Sequence, residues 1–164
     1  ENRQYIPAGF IGPETVTTNL NFMIPDGEIY HFGVLMSTMH MAWVRYVCGR
    51  LESRYRYSKD VVYNNYPWPD VSEEQRKKVE DLAQKVLDAR ANHPTSSLAD
   101  LYHPTTMPPD LRKAHEALDK AVDDCYRKVA FKSERERVEH LFEIYRKLTE
   151  GFGADEKKSK RKRA

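Results

Sequence analysis

Cysteine is nearly absent from this chain: Cys48 and Cys125 are the only two in 164 residues. They lie far apart and match no metal-ligand or redox spacing. Both stand among apolar neighbours at helical spacing, which predicts buried free thiols in a reducing cytosol. Long apolar runs are also missing. No stretch reaches the roughly 18 residues of a membrane span, so a membrane partner is not expected. The opening "ENRQ" is polar and carries no signal-peptide pattern. It starts without methionine and in mid-pattern, as a segment of a longer protein would. Glycine is sparse, and none of the seven builds a phosphate loop or a dinucleotide fingerprint. HExxH and GxSxG are absent. The six histidines, at 31, 40, 93, 103, 115 and 140, form no close ligand set with the cysteines. His31 and His40 flank an apolar segment and read as satisfied core groups. The sequence therefore predicts no catalytic residue, no metal and no cofactor within these residues.

Charge of one sign is also lacking over most of the chain. The net charge is +2. The last ten residues, "DEKKSKRKRA", hold six basic and two acidic groups, so the rest stands near −2. Global charge thus makes no case for a polyanionic partner, and any such case must rest on local clustering.

Two compositional halves follow one another. Residues 1–69 mix β-branched, aromatic and turn residues, and read as an incomplete α/β piece. "VTTNLNFMI" between "GPE" and "PDGE" predicts a strand. "YIPAGFI" predicts a short edge strand, because Pro7 cannot donate to a ladder. Residues 30–50 are apolar on most sides and predict one deeply buried helix, with Gly49 as its stop. Residues 51–63 return to a β-like pattern, and "YPWPD" ends any regular element.

Residues 70–153 read as helices. Ser72 with Gln75 is a capping-box signature. Val79, Leu82, Ala83, Val86 and Leu87 then recur on one face. Prolines 94, 104, 108 and 109 mark a loop. Leu111, Ala114, Leu118, Ala121, Val122 and Cys125 form a second stripe. Ser133 with Glu136 opens a third helix bearing Val138, Leu141, Phe142, Tyr145 and Leu148, with Gly151 and Gly153 as its end. Each stripe needs the others for cover, which predicts a self-contained bundle. Acidic side chains here alternate with Lys and Arg at helix-face spacing, the pattern of a solvated face. The basic tail, 154–164, lacks the apolar content to order itself. The fold class expected is α+β, mainly helical in its second half.

One stretch stands out, "RYVCGRLESRYRYSKDVVYNNYPWP" at 45–69. Between Arg45 and Lys59 it also carries Arg50, Arg54 and Arg56 around a single acidic residue, Glu52. Arginine can donate two parallel hydrogen bonds to guanine, and glutamate can accept from cytosine's amine. Glu52 and Arg54 would share a face on an extended segment and could read one C·G pair. Arg45, Arg50 and Lys59 could hold phosphates, which position a reader without specifying sequence. The alternative is a surface ion pair between Glu52 and Arg54 or Arg56. The tyrosines and Asn64–Asn65 fit packing as well as contact.

"YHFGVLMSTMHMAWVRYVCGRL" followed by "YRYSKDVVYNNYPWP" resembles the C-terminal region of the MmeI-like family of bifunctional restriction-modification proteins. The similarity continues through "MPPDLRKAHEALDKAVDDCY" and covers nearly all of the chain except the basic tail. The resemblance implies a parent protein with an endonuclease, a SAM-dependent DNA adenine methyltransferase and a target-recognition domain. It assigns 1–69 to the end of the target-recognition domain and 70–153 to the C-terminal helical domain. The family's S-adenosylmethionine motif and its NPPY motif lie upstream. This segment alone should therefore neither methylate nor cut, and its partners should be double-stranded DNA and the upstream methyltransferase domain. Glu52 and Arg54 match the family's base-reading pair. Some relatives resemble a charge-reversed version, with Lys and Asp there. Arg56, Asn19 and Leu20 correspond by position to other recognition residues. The competing expectation is a helical protein-interaction module whose basic stretch is only surface; salt-dependent duplex binding separates the two.

Overall fold

The structure, a computed structural model, describes residues 4–18, 21–51 and 54–161, with Leu51 and 151–161 described by backbone alone. Its elements are α1 (Ile29–Leu35), α2 (Thr38–Val47), a two-stranded antiparallel hairpin of β1 (Gly49–Leu51) and β2 (Arg54–Arg56), and one π-helical turn (Lys59–Tyr63). They continue with α3 (Glu73–Ala91), the single turn α4 (Leu98–Leu101), α5 (Pro109–Tyr126) and α6 (Glu134–Arg161). The fold is α+β and mainly helical, as expected. No described helix is long and apolar enough to cross a membrane.

The apolar segment 30–50 forms two helices, not one. Ser37 is the reason. Its hydroxyl donates to the Val34 carbonyl at 2.7 Å, ending α1. The same oxygen accepts from the His40 N–H, capping α2. Val34, Met36, Met39, Met41, Trp43 and Val44 are almost fully buried, so this helix pair lies at the centre of the core. Gly49 is not a left-handed stop; it has negative φ and opens β1. Gly33 carries a different constraint. A Cβ there would come within 3.0 Å of both Val79 and Ala83, so glycine lets α1 lie directly on α3.

The second half is not a self-contained bundle. α3 and α5 pack along each other and take α1 into their shared face. α6 packs instead on α2, where Phe142 and Tyr145 lie 5.2 and 5.8 Å from the Trp43 ring. Its ties to α5 include a forked ion pair of Arg137 and Asp123 at 2.5 and 3.0 Å and the edge-on rings of His140 and Tyr126. The predicted stripes of α3 and α5 do face inward, with Val79, Val86, Leu111, Leu118 and Val122 fully buried. On α6, Leu141 is buried but Leu148 is half exposed. The reciprocal cap of Ser72 and Gln75 is present. At α6, Ser133 caps as expected, while the Glu136 carboxylate accepts from Lys132 N–H and Arg127. Gly151 and Gly153 do not end α6; its backbone continues to Arg161, through part of the tail expected to be disordered. The proline-marked loop contains the short helix α4. Both cysteines are free and buried, as expected, and burial pushes the Cys125 thiol up to about 11.

The strands expected at 5–11 and 16–24 are absent among the described residues. Side chains, rather than a hydrogen-bond ladder, hold the N-terminal segment. The Tyr5 hydroxyl donates to Asp119 on α5 at 2.8 Å, and its ring stacks on His115 with centroids 3.9 Å apart. The Arg90 guanidinium donates to the Ala8 carbonyl and the Tyr102 hydroxyl, both at 2.7 Å. That hydroxyl lies 2.8 Å from His115 Nε2 and is bonded to it. Asp119 also accepts from the Thr38 N–H at 2.7 Å, satisfying the first turn of α2.

Burial shifts three of these groups. Asp119 is raised to about 6, while His115 and His40 are lowered to about 3 and about 4. Their signs oppose one another. A lowered histidine withdraws stability as pH falls below its unfolded value near 6.5, because the unfolded state takes the proton first. A raised aspartate adds stability as pH falls through 6. With two histidines against one aspartate, acidification from pH 7.5 to 4.5 should cost about 3 kcal/mol through these groups. Urea unfolding midpoints at the two pH values test this, and equal midpoints would refute it. Leu118, with no exposed surface, touches the shared face of α1, α3 and α5. Leu118→Ala should lower unfolding free energy by about 2–5 kcal/mol in the same assay.

Candidate nucleic-acid interface

The hairpin is set by its register: Gly49 opposes Arg56, Arg50 opposes Tyr55, and Leu51 opposes Arg54. Strand alternation sends Arg54 and Arg56 to one side and Tyr55 to the other. Both arginines are exposed, and neither has a carboxylate partner among the described residues. Arg50 shares the Tyr55 side, with its guanidinium 4.7 Å above that ring. Lys59 is exposed at the start of the π turn.

The remaining predicted positions divide. Arg45 forms an ion pair with Glu134 of α6 and so braces the helix pair. Glu52, Asn19 and Leu20 lie outside the described residues. Asn64 and Asn65 serve the π turn: Asn65 donates to the Asp60 carbonyl at 2.6 Å, and Asn64 to the Asp60 carboxylate at 3.4 Å.

Asn21 N–H donates to the Thr18 carbonyl at 3.1 Å. Phe22 follows directly, and its ring lies 5.8 Å from Tyr57 and 5.3 Å from Tyr63. Tyr57 follows β2, and Tyr63 ends the π turn. Phe22 and the residues that follow β2 thus share one aromatic cluster. Sequence reasoning assigned Phe22 to a strand and left the tyrosines open; no spacing rule links residue 22 to 57 and 63.

Behind the hairpin, the Tyr57 hydroxyl donates to His40 Nε2 at 3.1 Å, and His40 Nδ1 donates to the Leu35 carbonyl at 3.0 Å. Burial keeps His40 neutral, which fits one donor and one acceptor nitrogen. A hollow of about 270 Å³ lies between hairpin and α2, walled by Pro7, Met41, Val44, Arg54 and Tyr57 among others. Among the described residues, no group of three or more metal-ligating side chains converges anywhere. The hairpin surface offers cations and hydrogen-bond donors to solvent.

Comparison with known proteins gives the chain its family. Residues 1–70 match the MmeI target recognition domain, and residues 71–152 match the MmeI C-terminal domain. The chain belongs to the MmeI family. It is 45% identical over 150 residues to DNA methyltransferase A of Bacillus subtilis (strain 168), covering 92% of this chain and 17% of that protein. A solved structure of the type IIL restriction-modification enzyme MmeI in complex with DNA superposes with a TM-score of 0.88 at 50% identity, covering 92% of this chain and 20% of that one. The chain therefore spans about a fifth of the length of these relatives.

Proposed function

We propose that this chain is the DNA-reading end of a site-specific adenine methyltransferase that acts in the cytoplasm on double-stranded DNA. The observation that carries this reading is the match of residues 1–70 to a target recognition domain. In the full-length protein an upstream domain would supply S-adenosylmethionine and the methyl-transfer chemistry. The residues of this chain would choose the site. The exposed Arg54 and Arg56 fit that role: they lie on one side of a two-stranded hairpin, a form that the major groove admits. Glu52 and Arg54 would read one C·G pair, with Arg56, Asn19 and Leu20 contributing at other positions. Arg50 and Lys59 would meet phosphates and set register. Residues 70–153 would act as the helical support of this reader.

The test is to sequence the sites methylated by full-length variants. Glu52→Lys alone places like charges together and leaves a base group unpaired, so activity should fall. Glu52→Lys with Arg54→Asp restores a matched pair and should turn the preference from C to G at one target position. Each good base contact discriminates by about 1–3 kcal/mol, enough to move the preferred base. A double variant that methylates the original sequence as well as before would show that these residues do not read it. The basic stretch would then be ordinary surface.

A further inference from the structure

We infer that residues 7–11 are a docking edge for a β-strand from another part of the same full-length polypeptide. The inference goes beyond the proposed function and stands whether or not the hairpin reads bases. The segment has the character of a strand without its partner. Its burial alternates: Ile6 and Ala8 are partly buried against the core, whereas Pro7, Gly9 and Ile11 are exposed. No helix, turn or left-handed residue interrupts 6–11. Among the described residues, no backbone N–H or carbonyl of 6–11 pairs with another backbone group.

The segment is anchored along its length. Tyr5 is bonded to Asp119 and stacked on His115, Arg90 holds the Ala8 carbonyl, and the Phe10 ring lies 5.5 Å from that of Phe32 on α1. On an extended segment, the backbone polar groups of 6, 8 and 10 face one edge and those of 7, 9 and 11 the other. Arg90 takes the first edge. The second keeps the N–H groups of Gly9 and Ile11 and the carbonyls of Pro7, Gly9 and Ile11, which an incoming strand would satisfy.

Two further observations point to a strand rather than to solvent. Phe10 and Ile11 are 53% and 54% exposed, and residues 4–12 carry no charge. Open edges are ordinarily guarded by charged side chains, and here Pro7 alone serves that purpose. Gly9 is the second observation. Its φ is not positive, and a Cβ there would meet nothing within 4 Å. Nothing among the described residues calls for glycine at this position, whereas the close approach of another backbone would. The two described strands already pair with each other. This chain spans about a fifth of the length of its relatives, so a full-length protein of that size has chain enough to supply the partner.

The experiment is hydrogen exchange on the full-length protein without DNA, resolved to single amides by electron-transfer fragmentation. The Gly9 and Ile11 amides should exchange about 100-fold more slowly than in a free peptide, as strand-paired amides do, while the Phe10 amide between them exchanges fast. Gly9→Pro removes a donor from this edge. It should return the Ile11 amide to free-peptide exchange while α3 and α5 keep their protection. A photo-reactive cross-linker placed at position 11 should join to another segment of the same polypeptide. Free-peptide exchange throughout 7–11, protection without alternation, protection that appears only with DNA, or a cross-link to a second copy would each overturn the inference and leave the proposed function standing.

Discussion

The whole molecule is organised by the need to cover α1 and α2. These helices are apolar on nearly every side, and water must be excluded from all of them. No single neighbour can do that. α3 and α5 cover α1, with Gly33 permitting the close approach. α6 covers the Trp43 side of α2. The N-terminal segment closes the remaining side by docking Tyr5 on α5. The division into two family domains is therefore not a division into two cores. The target-recognition part supplies the central helices, and the C-terminal part supplies most of their cover. Each half would expose a large apolar surface without the other.

That shared core explains where polar groups are tolerated inside. Asp119 is largely buried, but both its oxygens are bonded, one by Tyr5 and one by the first turn of α2. His115 is fully buried, and its Nε2 is bonded to the Tyr102 hydroxyl, which Arg90 holds in turn. These bonds have directional requirements that apolar packing lacks. They fix where the N-terminal segment crosses the helices, a segment with no ladder hydrogen bonds among its described residues.

Much of this was legible in the sequence where local rules apply. The Ser72 and Gln75 cap, the inward stripes of α3 and α5, the free buried thiols and the stop at "YPWPD" all follow from short-range chemistry. The misses have a common cause, which is tertiary context. "VTTNLNFMI" has strand composition, but a strand needs a partner edge, and the described residues offer only the short hairpin. Segment 30–50 has the composition of one helix, but a serine with bonds on both sides divides it. The bundle looked complete because stripes show that a face is buried, not which element buries it. The basic cluster was visible as composition. That Arg45 belongs to the helix brace and Arg54 and Arg56 to an open hairpin could not be seen there, because the Glu134 partner is 89 positions away.

The same separation bears on how such a reader can change its target. Arg54 and Arg56 sit on a three-residue strand with their side chains in solvent. Nothing among the described residues depends on them for charge balance, so exchanging them removes no buried partner. Arg137 is the contrast: it is held by Asp123 with both side chains mostly covered, and removing either would strand a poorly solvated charge. Substitutions at exposed positions away from the core usually cost less than about 0.5 kcal/mol, whereas one base contact is worth about 1–3 kcal/mol. Under the proposed function, a side-chain exchange at Arg54 or Arg56 changes which base is preferred by more than it changes the stability of the fold. The hairpin itself stays in place because its anchors, Tyr57 on His40 and β1 on the end of α2, lie behind the exposed arginines and make no use of them.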